Sequence, residues 1–143
     1  MNKTTWLKGK EVERSWYVFD VEGKTLGRAC TEIAKYLMGK NSPSYDAHLD
    51  MGNNVIIVNI EKVTLTGGKE QYVDIQRYSG YPGGLKRTKI KDLLSNKPDD
   101  VIRHAIKGML PNNKLRDRML ARLYLYAGGT HPHEAQKPEK INL

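Results

Sequence analysis

The sequence predicts an α/β protein, and three stretches carry that prediction. Trp16-Tyr17-Val18-Phe19-Asp20-Val21 is aromatic, β-branched and nearly continuous in apolar character, as in a strand covered on both faces. Leu26, Ala29, Cys30, Ile33, Ala34, Leu37 and Met38 recur at the spacing of a helix with one buried stripe. Val55-Ile56-Ile57-Val58-Asn59-Ile60 reads as a second buried strand. Strand, helix, strand in that order argues for a right-handed βαβ unit with parallel strands.

The first 15 residues form a polar, basic N-terminal arm, with Trp6 and Trp16 available to pin it to the body. Glu22-Gly23-Lys24 is a turn, Thr25 is placed to cap the following helix, and Gly39 closes that helix. Asn41-Ser42-Pro43-Ser44 is a loop. After the second strand come Val63 to Thr66 and a Gly67-Gly68 break. Gln71 to Arg77 has a weak strand pattern, Tyr78 to Leu85 reads as a loop, and Ile90 to Leu94 suits one or two helical turns.

Two basic amphipathic helices follow. Val101, Ile102, Ala105, Ile106 and Met109 form the apolar stripe of the first. Pro98, Asp99 and Asp100 suit its start, and Gly108 and Pro111 its end. The second is expected to begin near Asn112 or Asn113, both good caps. It puts Lys114, Arg118 and Arg122 on one face and Leu115, Met119, Leu120 and Leu123 toward the core. Arg116 falls on its apolar arc, so either its stem snorkels or the helix starts later. Leu123 to Tyr126 is a last short strand, and residues 130–143 read as an extended tail. No repeat, low-complexity tract or linker divides the chain, which is expected to be a single domain over 1–143.

Composition narrows the function. At 143 residues, with 28% charged and 38% apolar side chains, the chain has the make-up of a soluble globular domain with a real core. No apolar run approaches the roughly 20 residues of a membrane span. Met1 to Trp6 lacks the apolar stretch of a signal peptide, so a cytoplasmic location is the default expectation. Cys30 is the single cysteine, which leaves no internal disulfide, and its place on the helical stripe predicts a small buried hydrophobe. The charge is uneven. Lys86 to Arg122 holds eleven Lys or Arg against four Asp, so nearly all of the net +8 lies in about a quarter of the chain. An excess this localised points to a polyanionic partner.

The loop from Tyr78 to Leu85 sharpens that reading to RNA. Gly80, Gly83 and Gly84 let a backbone approach a ligand closely. Tyr78 and Tyr81 offer faces for unpaired bases, beside Lys86, Arg87 and Lys89. Other chemistries fit less well. Gly67-Gly68-Lys69 is followed by Glu70 and lacks the spacing of a phosphate loop. Gly23 to Arg28 lacks the dinucleotide-binding glycine pattern, although a helix N-terminus beside Lys24 and Arg28 suits a phosphate, including one of a nucleic acid backbone. His131 and His133 have no cysteine pair to complete a zinc site with His48 or His104. No nucleophile elbow or acid/base pair stands out, so neither catalysis, a cofactor, a metal nor a small-molecule substrate is expected. Two alternatives are an α/β nucleotide-binding enzyme using the turn after the first strand and a free RNA-binding regulator.

Several blocks together resemble a known family. They are Gly23-Lys24-Thr25-Leu26-Gly27-Arg28, Val55 to Gly67, Ser79-Gly80-Tyr81-Pro82-Gly83-Gly84-Leu85-Lys86, Lys107-Gly108-Met109-Leu110-Pro111, and Tyr126-Ala127-Gly128 through His131-Pro132-His133. Over essentially its whole length the chain is similar to the bacterial-type large-subunit ribosomal protein number thirteen. That resemblance implies a three-layer α/β/α domain with a four-stranded parallel sheet in the order 3-2-1-4. It implies a structural protein that binds large-subunit (23S-type) rRNA beside neighbouring ribosomal proteins and supports early subunit assembly. The expected RNA contacts are Lys24 and Arg28; Tyr78, Gly80, Tyr81, Gly83 and Gly84; Lys86, Arg87 and Lys89; Lys107; Lys114, Arg118 and Arg122; and His131 and His133. The chain departs from the family pattern at Leu115-Arg116-Asp117-Arg118 and at Tyr78, where many members carry His.

Overall fold

The computed structural model describes residues 8, 9 and 12–143; the proposed anchoring role of Trp6 lies outside them. Strand β1 (Trp16–Asp20) leads into α1 (Leu26–Met38) and back to β2 (Asn54–Val58), which lies parallel to β1 with Val18 opposite Ile56. Strand β5 (Leu123–Leu125) pairs parallel with β2, and β6 (Glu139–Ile141) pairs parallel with the free side of β1. Between β2 and β5 run α2 (Lys69–Tyr72), β3 (Asp74–Tyr78), β4 (Leu85–Lys89), α3 (Ile90–Asn96), α4 (Pro98–Met109) and α5 (Leu115–Ala121). The sheet order is β5-β2-β1-β6. Counting sheet strands alone, this is the 3-2-1-4 order implied by the resemblance.

Strand alternation divides the core in two. Phe19, Val55, Ile57 and Leu123 point to one face, where α1, α4 and α5 supply Ile33, Leu37, Ile102, Ile106 and Met119. The seven α1 residues on the apolar spacing are the seven that are buried. A side chain such as Phe19 or Ile33, fully removed from water, contributes about 1.5–3 kcal/mol. Val18, Ile56 and Val58 point to the other face, under Trp16, Tyr124 and Tyr126. The His133 ring packs there at a tilt, 4.7 Å from Tyr124 and 5.2 Å from Trp16, and the 3-10 turn Glu134–Gln136 follows it directly. This thin layer of aromatics and returning tail stands opposite the helices.

Some local expectations shift. The second strand stops at Val58: Asn59 takes a left-handed conformation, φ 59°, and Ile60 begins a one-turn 3-10 helix while staying fully buried. An apolar run records burial but not the backbone that achieves it. Thr25 occupies the cap position of α1 without a hydroxyl cap bond; the Leu26 amide instead donates to the Thr64 carbonyl at 3.0 Å. Helix α5 begins at Leu115, later than Asn112, and the Asn113 side-chain oxygen accepts the Leu115 amide at 3.1 Å. Arg116 is half-buried, with its Nε buried and unpartnered, so a later start and a packed stem are both seen. The tail does more than extend: it makes a 3-10 turn and supplies the fourth sheet strand.

Candidate nucleic-acid interface

The loop expected from Tyr78 to Leu85 is the tip of an antiparallel hairpin. Its end residues, Tyr78 and Leu85, are the last pair of the β3–β4 ladder. The turn closes by a Gly84 amide to Tyr81 carbonyl bond of 2.9 Å and a Ser79 amide to Gly84 carbonyl bond of 3.2 Å. Gly80 and Gly83 hold φ values of 89° and 72°, a region that penalises any Cβ, while a Cβ on Gly84 would strike the Ser79 hydroxyl. Tyr78 and Tyr81 are 64% and 75% exposed, so their rings are presented rather than packed down.

The ladder register sorts the hairpin charges. Tyr78, Leu85, Arg87 and Lys89 share one face with Asp74 and Gln76; Ile75, Arg77, Lys86 and Thr88 share the other. Arg77 sits directly opposite Lys86. Like charges at that separation, about 5 Å between Cβ atoms, destabilise a hairpin unless an anion lies between them. Lys107 is exposed on α4 and Arg118 on α5, and Lys114 is exposed just before α5, at its cap position. Among the described residues, no Lys or Arg from Arg77 through Arg118 pairs with a carboxylate.

Arg122 departs from its expected place on that face. It caps α5 and turns inward: Nη1 donates to Asp50 Oδ2 at 2.7 Å and Nη2 to Oδ1 at 2.5 Å, with both side chains largely covered. Gly52 makes room, since a Cβ there would lie 2.7 Å from the Arg122 Nη2. Burial by itself would raise the Asp50 carboxyl; the Arg122 hydrogen bonds and charge, with Arg14 alongside, outweigh it and hold the group below the usual carboxylate range. Helical spacing placed Arg122 with Lys114 and Arg118, but the helix has already ended there.

Other expected contacts are also partly engaged within the chain. The Lys24 ammonium donates to the Leu143 carbonyl at 2.8 Å, leaving exposed Arg28 as its open neighbour. His133 Nε2 lies 2.8 Å from the Tyr126 hydroxyl, within the aromatic layer. His131 lines a crevice at the carboxyl ends of β1 and β2, beside Asp20, Asn59 and Glu134, with its Nδ1 buried and unpartnered. Asp20 is held below its ordinary range chiefly by the Asn59 side-chain bond of 2.8 Å and then by the Glu22 amide.

Three residues of the basic lobe, Arg77, Thr88 and Arg103, do not stand out in the sequence. Arg77 and Thr88 from the hairpin face Arg103, His104 and Lys107 of α4 across one cleft. The available signal was the stripe Asp100, Arg103, His104, Lys107 at i, i+3, i+4, i+7, opposite the apolar stripe of α4.

Comparison with known proteins places this architecture. The family model for ribosomal protein L13 matches residues 14–132. A large ribosomal subunit protein uL13 from Thermoanaerobacter sp. (strain X514) is 51% identical over 141 residues, covering 99% of each chain. That of Thermotoga petrophila is 51% identical over 143 residues, covering 100% of this chain and 96% of the relative. That of Spiroplasma citri is 49% identical over 143 residues, covering 100% and 98%.

Proposed function

The chain belongs to the ribosomal protein L13 family, and from that premise we propose that it is a structural constituent of the large ribosomal subunit, binding large-subunit rRNA and supporting early assembly. It is a non-enzymatic protein of the translation machinery, at work in cytoplasmic ribosomes beside other large-subunit proteins. The observation that carries the rRNA reading is the unpaired cation set of the hairpin, α4 and α5, with Arg77 and Lys86 directly opposed. Among the described residues no carboxylate pairs with these groups, which leaves them for an external polyanion. Phosphate contacts of this kind position a protein without reading sequence.

Lys86, Arg87, Lys89, Lys107, Lys114 and Arg118 neutralise phosphates in this account, with Arg28 as an outlying contact. Tyr78 and Tyr81, carried on the glycine turn, lie against folded RNA. Arg122 acts from behind, locking the end of α5 to the Asp50 loop. Lys24 and His133 hold the tail, and His131 lies where the tail crosses the sheet edge. The chain acts as one domain, with the described part of its N-terminal arm leading into β1 and its tail returning as β6.

The test is co-sedimentation. The tagged protein is expected in the large-subunit peak of a sucrose gradient and absent from the small-subunit peak. Release by salt should be steep, because neutralising about six phosphates gives a log–log slope near −4 to −5.5. Sedimentation only as free protein would overturn the assignment.

A further inference from the structure

The cleft between the hairpin and α4 has the shape and chemistry of a seat for a single RNA strand. Its volume is about 520 Å³, within the roughly 300–1,000 Å³ of sites that enclose small ligands. One wall is the inner hairpin face, with Arg77; the other is the polar stripe of α4, with Arg103, His104 and Lys107. Ile75 and Leu93, both half-buried, supply apolar surface between them. Asp100 is the one acid on the lining among the described residues.

We propose that this cleft receives an unpaired nucleotide segment of RNA, with phosphates on Arg77, Arg103 and Lys107 and a base or ribose against Ile75 and Leu93. The inference rests on the rRNA reading above and adds to it which kind of RNA structure meets this surface. A duplex presents a convex, evenly charged outline and suits an open basic face; a concave slot with cationic walls and an apolar floor suits one strand whose base is turned out. Asp100 gives the slot a polarity. Its carboxylate repels phosphate at that end and can accept from an exocyclic amino group, as acidic side chains do from cytosine N4. The Arg77–Lys86 opposition has the same explanation: a phosphate passing over the inner hairpin face relieves it.

The test uses tethered cleavage in assembled large subunits. Cys30 is buried, so a cysteine introduced by His104→Cys is the reactive position for an iron–chelate probe attached before reconstitution. Tyr81→Cys places the same probe at the hairpin tip, and Lys107→Cys repeats the cleft position one turn on if His104→Cys does not fold. The expected result is strand scission from the cleft probe confined to one short unpaired run. Cuts paired across both strands of a duplex would overturn the proposal. So would no cuts from the cleft probes alongside clear cuts from position 81; that outcome would leave the rRNA reading standing. Subunits that assemble with the labelled protein yet show no scission from any probe would overturn the proposal and the assignment of this lobe to rRNA, and would leave membership of the subunit, which co-sedimentation reads, standing.

Discussion

The fold handles its cations in two ways, and the division follows its architecture. Around the sheet, four of the cations are paired with carboxylates. Arg14 and Arg122 converge on Asp50, Lys62 meets Glu22, and Lys35 meets Glu32 along α1. In the lobe built from the hairpin, α4 and α5, the Lys and Arg side chains from Arg77 through Arg118 have no carboxylate partner among the described residues. In the first region one covered pair, Arg122–Asp50, ties the end of α5 to the Asp50 loop, while the exposed Lys62–Glu22 and Lys35–Glu32 pairs add little. The second leaves charge available and relies on apolar residues, Ile90, Ile102, Ile106 and Met119, for its anchorage. Stability and binding should therefore respond to substitution in separate places.

The largest effect is expected where a charge enters the sheet region without a partner. Cys30 is 1% exposed, and burial pushes its thiol pKa up to about 12. Cys30→Asp should cost about 3–5 kcal/mol, the penalty of an uncompensated buried charge. Urea unfolding measures it, and a loss under about 1 kcal/mol would mean that α1 is not seated as described. The native thiol should also resist rapid alkylation.

Arg122→Ala comes next, at about 2–4 kcal/mol, because it strands the Asp50 carboxylate in a largely covered site. In an Asp50→Asn background the same change should cost less, and a double-mutant cycle reads the coupling. Arg118→Ala, one turn away on α5, should shift stability by under about 0.5 kcal/mol. Equal losses at the two arginines would erase the distinction between the regions.

A smaller, pH-dependent effect follows from Asp50. Its folded-state carboxyl is depressed, so its contribution to stability is present above the ordinary carboxylate value and is lost as pH falls through the folded value. The stability gap between wild type and Asp50→Asn should hold from pH 7 to about pH 5, begin to narrow near pH 4 and go on closing as pH falls through the folded-state value. A gap that does not narrow at all on acidification from pH 5 would contradict the ion pair as its source.

How much was legible in the sequence follows the same line. The βαβ unit and the α1 face were readable because burial on both sides of β2 and one side of α1 leaves a periodic apolar record. Strand β4 left none: all five residues from Leu85 to Lys89 are exposed, and four are polar. Its existence depends on the register with β3 and the glycine turn. Strand β6 was hidden likewise, since Glu139-Lys140-Ile141 is held at the sheet edge with one half-buried residue. For the site, composition located the basic lobe, but helical spacing misassigned Arg122. Its role is set by Asp50, 72 residues earlier in the chain. Arg77 and Arg103 meet in one cleft only when the hairpin folds against α4, a juxtaposition that no spacing in the sequence records.

The division between structural and available charge is tested most directly by neutralising the second set alone. A chain carrying Lys86→Ala, Arg87→Ala, Lys107→Ala and Arg118→Ala leaves the ion pairs and both core clusters intact. Its share of the large-subunit peak and its melting temperature are measured together with those of wild type. The expected result is a melting temperature within a few degrees of wild type, a marked fall in the large-subunit share, and a salt slope shallower by about 3 to 3.5. A protein that melts normally and enters the subunit at the wild-type level, with an unchanged salt slope, would contradict it.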